Sequence, residues 1–189
     1  MGIREIIKKR FNSNGFTMIE MIAAMVLVSI LVPGISIIIR GSLLNVAFTN
    51  MAVLANMEAD FAQRKFVKHI NGVKSFSAGE LSDNSLKFTS YFDNTLYEYT
   101  IDEGTNTIKY SKDGGSSGIL LQRVVKDTTI STDQYVSRFK YKDKNNNDLG
   151  DSPTASEVRG VELTFYLLRG ESFYKYTTYA TTDKEQIDL

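Results

Sequence analysis

The sequence predicts an α+β protein in which one long N-terminal helix packs on an antiparallel β-sheet. Residues 16–39 form an apolar run that contains a single charged residue. Residues 42–70 lack Pro and Gly and carry apolar side chains at helical spacing. Residues 72–189 show short alternating segments separated by turn-forming residues, which is typical of antiparallel strands. The length of 189 residues suits one domain of ordinary size with an appended segment.

Composition excludes several classes of chemistry. The chain has 22 Lys+Arg and 22 Asp+Glu, so its balance of charge does not indicate a nucleic acid as its partner. It has no Cys, which excludes disulfides, thiolate metal sites and cysteine nucleophiles. Its single His, His69, excludes a site with several His ligands. No Ser–His–Asp arrangement is visible, so we predict neither an enzyme nor a cofactor.

Residues 1–15 are a short basic segment that precedes the apolar run. It carries four basic residues and one acidic residue, namely Arg4, Lys8, Lys9, Arg10 and Glu5. As a helix, residues 16–39 would be about 36 Å long, against about 30 Å for the hydrocarbon core of a membrane. Basic residues before the span favour a cytoplasmic N-terminus and an extracytoplasmic remainder.

Two ordinary explanations compete for this segment. A secretory signal peptide has a shorter apolar core followed by small residues at a cleavage site, whereas residues 38–42 offer no Ala-x-Ala pattern. A plain single-pass anchor fits the length equally well and stays open on hydropathy alone.

Glu20 lies within the apolar run and has two explanations. An ionisable group in a membrane segment costs about 2.5–3.5 kcal/mol on insertion scales and therefore suggests a function with a partner. Residues 17–20 also fit the capping-box pattern, in which Glu20 would satisfy backbone donors at the start of the helix. The local pattern does not decide between them.

Residues 8–22 read KKRFNSNGFTMIEMI and resemble the class III signal of type IV pilins and pseudopilins. The resemblance implies that a prepilin peptidase cuts between Gly15 and Phe16 and methylates Phe16. It also implies that Glu20 is the carboxylate used in subunit assembly. About 30 residues carry this resemblance. Many major pilins have a helix-kinking Pro slightly further along than Pro33, so their bend is not carried over to this chain.

The resemblance also implies partners and a location. The partners would be other pilins or pseudopilins contacted through the N-terminal helix, the prepilin peptidase, an inner-membrane assembly platform and the lipid bilayer. The protein would reside in the membrane and then in a pilus or pseudopilus. The order of elements in residues 72–189 is similar to the heads of J-type minor pseudopilins, which implies a priming or tip subunit. The alternative is a membrane-anchored extracytoplasmic binding module or adhesin.

Residues 40–71 are predicted to form an amphipathic helix that continues from the span. Its apolar residues follow a helical stripe that we expect to pack on the domain's own sheet: Ala47, Met51, Leu54, Met57 and Phe61. His69, near the helix end, is expected to face solvent or the helix dipole, and no chemistry is assigned to it. Pro33 and Gly34 predict a kink or a loosened segment in the helix.

Alternation predicts seven strands in the head. They cover residues 85–92, 95–102, 107–112, 119–126, 135–142, 158–168 and 173–182. In the second to last of these, Val161, Leu163, Phe165 and Leu167 should share one face.

The polar loop at residues 143–151 is weighed as a Ca²⁺ site. Several Asp and Asn residues in it offer oxygen ligands. Asp148 and Thr154 stand where an EF-hand loop needs Gly and Glu, so a hairpin loop without metal is predicted.

Overall fold

The computed structural model of the protein describes residues 17–125, 136–170 and 172–182. These contain one long helix followed by eight strands. In chain order they are α1 (Met18–Asn71), β1 (Val73–Phe76), β2 (Ser85–Ser90), β3 (Leu96–Asp102), β4 (Thr107–Lys112), β5 (Gly118–Gln122), β6 (Arg138–Lys142), β7 (Gly160–Arg169) and β8 (Ser172–Thr181). The chain divides into two compact units, Met1–Thr49 and Asn50–Leu189. The α+β class with a long helix and antiparallel sheets is confirmed.

Helix α1 begins two residues later than predicted and ends where predicted. Its last turn carries Lys68, whose positive charge suits the negative end of the helix dipole. Helical structure continues through Pro33, and the kink or loosened segment expected there stays a prediction. The hydroxyls of Ser29 and Ser36, on either side of Pro33, donate to the carbonyls of Met25 and Val32 four residues earlier, at 2.7 and 2.8 Å. These bonds leave neither hydroxyl unpaired in an apolar segment.

Strands β1 to β5 form an antiparallel meander in sequence order. Each strand pairs with its successor, as expected when short turns connect consecutive strands. Turn residues Asn94 and Asn106 adopt the left-handed backbone conformation at φ values of 51° and 52°. Strand β1 was not predicted. It has only four residues and starts directly after the helix, so its alternation is too short to detect.

Strands β6, β7 and β8 form a second, three-stranded antiparallel sheet. Strands β7 and β8 are ten residues each and meet in a tight hairpin whose Gly170 has φ of 62°. The predicted inward face of β7 is confirmed, since all four of its apolar side chains are fully buried: Val161, Leu163, Phe165 and Leu167. These residues supply much of the core between the sheet and the helix.

Residues 50–71 of α1 pack on the sheets through a different helix face from the predicted one. Its buried residues recur every three or four positions, as one helix face requires: Ala55, Ala59, Ala62, Phe66 and Ile70. The ring of Phe66 lies 5.7 Å from that of Tyr99 in one sheet and 6.1 Å from that of Phe139 in the other. Three alanines let the helix backbone approach the sheets closely, and the large aromatic residues fill the remaining space.

Other predicted boundaries shift by a few residues. Phe92, predicted at the inward end of β2, lies in the following turn and is 80% exposed. Strand β5 ends at Gln122, and β6 starts at Arg138. The predicted ends at Lys126 and Tyr135 lie outside the described residues.

Candidate functional site

Of the residues that the sequence singles out, Gly15 and Phe16 lie outside the described part of the chain. Glu20 lies in the first turn of α1, and Thr17 directly precedes the helix. The Thr17 carbonyl accepts the first helical hydrogen bond from the Met21 N–H at 3.1 Å. Thr17 is therefore the N-cap of α1.

Glu20 and Thr17 form a reciprocal capping box. Oε2 of Glu20 accepts hydrogen bonds from the Thr17 N–H at 2.9 Å and from the Thr17 hydroxyl at 2.8 Å. The Glu20 N–H donates to Oγ1 of Thr17 at 3.3 Å. The arrangement satisfies two of the backbone donors that a helix start leaves unpaired. The capping explanation of Glu20 is thus correct as local structure, and it leaves the second carboxylate oxygen, Oε1, without a contact to the described residues.

The first part of α1 is apolar on every side. Large hydrophobic residues from Met18 to Ile39 are more than half exposed, including Met18 at 83% and Ile37 at 74%. Among the described residues, α1 is the one helix long and apolar enough to cross a membrane. A helix that is hydrophobic all round is normally surrounded by lipid or by other helices.

A family model describing the prokaryotic N-terminal methylation motif matches residues 10–32. This range contains Gly15, Phe16 and Glu20 in the order that the resemblance required. The chain carries the class III signal of type IV pilin-like proteins. The expected resemblance is therefore confirmed for the signal. Searches of curated proteins and of solved structures find no match to the chain.

The type IV pilin-like signal and the apolar helix together make this a membrane-anchored protein. The matched range stops at Val32 and does not reach the head. The match therefore gives no information on the function of the head.

The head part of α1 exposes a large apolar surface that the sequence analysis assigned to the core. Leu54, Met57 and Phe61 are 57%, 64% and 61% exposed. At 100° per residue they lie together on the side of the helix away from Ala55, Ala59 and Ala62. We call these three exposed residues the outer stripe. A run of small residues at positions 55, 59 and 62 was the signal that could have identified the buried face.

His69 contradicts the prediction that it faces solvent or serves the helix dipole alone. It is half-buried, its ring centroid lies 4.5 Å from that of Tyr97, and its Nδ1 lies 2.6 Å from the Tyr99 hydroxyl. Burial, followed by the positive charges of Lys65 and Lys68, lowers the pKa of His69 to about 4. The tautomer of the neutral imidazole decides which of the two groups donates in this hydrogen bond.

Three polar contacts connect α1 to strands β7 and β8. Arg169, itself 8% exposed, forms an ion pair with Glu58. The Tyr176 hydroxyl donates to Oδ1 of Asn56 at 2.7 Å, and Nε2 of Gln63 donates to the carbonyl of Thr177 at 3.1 Å. These contacts fix the rotation of the helix and therefore the direction in which the outer stripe points.

In the loop at residues 143–151, the carboxylates of Asp143 and Asp148 make hydrogen bonds and ion pairs with other residues of the protein. The Asp143 carboxylate accepts from the backbone N–H groups of Asn145 and Asn147, both at 2.8 Å, and from the Asn147 side chain. The Asp148 carboxylate lies 3.5–3.6 Å from the ammonium groups of Lys140 and Lys142. Within the described ranges, no group of three or more His, Cys, Asp or Glu side chains is placed to hold a metal ion. The geometry is that of an Asx-stabilised hairpin loop.

Proposed function

We propose that this protein is a minor pilin or pseudopilin, a structural subunit of a type IV pilus or of a type II secretion or DNA-uptake pseudopilus. The observation that carries the proposal is the outer stripe. Leu54, Met57 and Phe61 are exposed on a helix whose opposite face is already packed on its own sheets. Exposed apolar patches of this kind mark sites of contact with other proteins or membranes.

In this proposal, prepilin peptidase cuts between Gly15 and Phe16, and Phe16 becomes the methylated N-terminal residue. Cleavage creates an amine at the end of a membrane helix, where water solvates it poorly. The carboxylate of Glu20 on a neighbouring subunit pairs with that amine, and the pairing selects the register between helices. The capping bonds to Thr17 use Oε2 of Glu20, and in this proposal Oε1 pairs with the amine.

The proposed location is the cell membrane, with the head outside and entry into a filament at its priming or tip complex. The support for a priming or tip subunit is the resemblance of the head to J-type minor pseudopilins. Counting labelled heads along isolated filaments tests it. A tip subunit gives a few labels at one end, whereas uniform labelling along the filament contradicts this assignment.

Mass spectrometry of the membrane-extracted protein tests the processing step. A terminus at N-methylated Phe16 is expected in cells that contain the peptidase. An intact Met1 terminus on the functional protein would refute the proposal and favour an anchored binding module.

Single-cysteine crosslinking tests the outer stripe, and it is direct because the chain has no native Cys. Leu54→Cys and Phe61→Cys should crosslink to other pilin-like subunits in assembled filaments. Lys144→Cys, on an exposed head loop, is the matched control and should not. Equal crosslinking of all three variants would remove the support that the stripe provides.

A further inference from the structure

A cleft of about 480 Å³ lies in the head where residues following β5 reach the second sheet. Val124 and Val125 line it. The turn around Asn106 also lines it, as do Leu168 and Phe173 of the β7–β8 hairpin. The volume falls in the range of about 300–1,000 Å³ that is typical of sites for small ligands.

Backbone hydrogen bonds hold residues 123–125 of the cleft in place. The Val124 N–H donates to the Asn106 carbonyl at 2.9 Å, and the Val125 N–H donates to the Tyr166 carbonyl at 2.8 Å. The Arg123 carbonyl accepts from the Leu168 N–H at 3.0 Å. Arg123 adopts the left-handed conformation with φ of 59°, which is uncommon for a residue other than Gly. Since these backbone groups are paired within the protein, a ligand here must be recognised by side chains.

Three exposed polar side chains line the cleft: Arg123, Asn106 and Gln122. None of the three makes a side-chain hydrogen bond or ion pair with another described residue. Among the described residues that line the cleft, Arg123 is a cation and none is an Asp or Glu. Leu168 and Phe173, 37% and 36% exposed, add apolar surface beside these polar groups.

We propose that this cleft binds a carboxylated saccharide, such as an oligomer of a uronic acid. The Arg123 guanidinium matches a carboxylate in two-point geometry. The amides of Asn106 and Gln122 each donate and accept, as recognition of sugar hydroxyls requires. The apolar side chains contact the C–H face of the ring. An acidic peptide fits less well, because the paired backbone groups of Arg123, Val124 and Val125 cannot bind it by strand addition.

Titration of the full-length protein in detergent micelles tests the proposal, with binding followed by saturation-transfer NMR. The probes are trigalacturonate, the neutral trisaccharide galactotriose and triglutamate. We expect trigalacturonate to bind saturably below about 10 mM, and the other two probes to bind about tenfold more weakly or not at all. Absence of saturable trigalacturonate binding would refute the site. Equal binding of triglutamate would refute the saccharide assignment, and equal binding of galactotriose would refute the role of the carboxylate.

Variants locate the binding within the molecule. Arg123→Gln should weaken trigalacturonate binding by about tenfold or more, because it removes the charged two-point contact. Lys144→Gln removes one exposed charge outside the cleft and should leave binding unchanged. Circular dichroism and thermal unfolding verify that both variants fold. A folded Arg123→Gln variant that binds like the parent protein would overturn the proposal, whether or not the chain enters a filament.

Discussion

The Tyr99 hydroxyl lies 2.6 Å from Nδ1 of His69 and joins the end of helix α1 to strand β3. The Tyr97 ring packs against the imidazole from the same strand. Burial, then the neighbouring charge of Tyr110, raises the pKa of Tyr99 well above its usual value, so the hydroxyl stays protonated. The contact at neutral pH is therefore a hydrogen bond between two uncharged groups.

This geometry predicts that the head loses stability as the pH falls. Burial lowers the pKa of His69 from 6.5 to about 4, with Lys65, Lys68 and Lys112 acting in the same direction and Asp93 opposing them. Between pH 6.5 and 4 the unfolded chain binds a proton at His69 that the folded chain rejects. The stabilisation by His69 is complete above pH 6.5 and is lost progressively towards pH 4.

Denaturant unfolding of the full chain in detergent, at several pH values in this window, measures the effect. His69→Gln cannot titrate and should show a shallower fall in stability than the parent protein. Tyr99→Phe keeps the ring but removes the hydroxyl of this hydrogen bond, and it should cost about 0.5–1.5 kcal/mol at neutral pH. An identical pH slope for His69→Gln and the parent protein would show that other groups control the acid response.

A second prediction separates the two faces of α1. Phe66 is fully buried between the rings of Tyr99 and Phe139, so Phe66→Ala should reduce the free energy of unfolding by about 3–5 kcal/mol. Phe61 is 61% exposed, so Phe61→Ala should change the stability of the isolated protein by less than about 0.5 kcal/mol. The exposed substitution should instead reduce recovery of the protein in filaments. Normal incorporation of Phe61→Ala would contradict the role of the outer stripe.

The sequence predicted the helix, most strands and the N-terminal signal because each depends on local pattern. The inward face of β7 followed from strict alternation over ten residues, and the reciprocal Thr17–Glu20 bonds followed from a four-residue motif. Both features can be predicted without knowing which helices and strands contact each other in the fold.

The buried face of α1 required tertiary information. The outer stripe is more hydrophobic than the alanine face, so periodicity alone favoured it as the core. Periodicity reports that a face avoids water, but it does not distinguish a chain's own sheet from a partner molecule. The bulky aromatic residues of the sheets fill the space at this contact, so small alanine side chains fit there on the helix. His69 was misassigned for the same reason, because its partners Tyr97 and Tyr99 are about 30 residues away in the sequence.

A third prediction concerns the ion pair between Glu58 on α1 and Arg169 at the end of β7. Arg169 is 8% exposed, so removing its partner leaves a nearly buried cation without its carboxylate. Glu58→Gln should reduce the free energy of unfolding by about 1–3 kcal/mol, since an amide compensates the charge only in part. The exposed pair Asp60–Arg64 is the matched control, and Asp60→Asn should cost less than about 0.5 kcal/mol. If the two substitutions reduced the free energy of unfolding equally, burial of Arg169 would not strengthen its ion pair with Glu58.

The last prediction separates the two roles of Glu20 by replacing its charge while keeping its shape. Gln at the third helical position still accepts from the backbone in a capping box, so Glu20→Gln should preserve the bonds to Thr17 and the start of the helix. The variant cannot form an ion pair with an N-terminal amine. It should therefore be processed and inserted normally but reach filaments at a strongly reduced level. Glu20→Ala should lose both the cap and the charge, while Ser29→Ala in the same apolar segment serves as the control. Filament levels of Glu20→Gln equal to those of the parent protein would mean that Glu20 acts only as a helix cap.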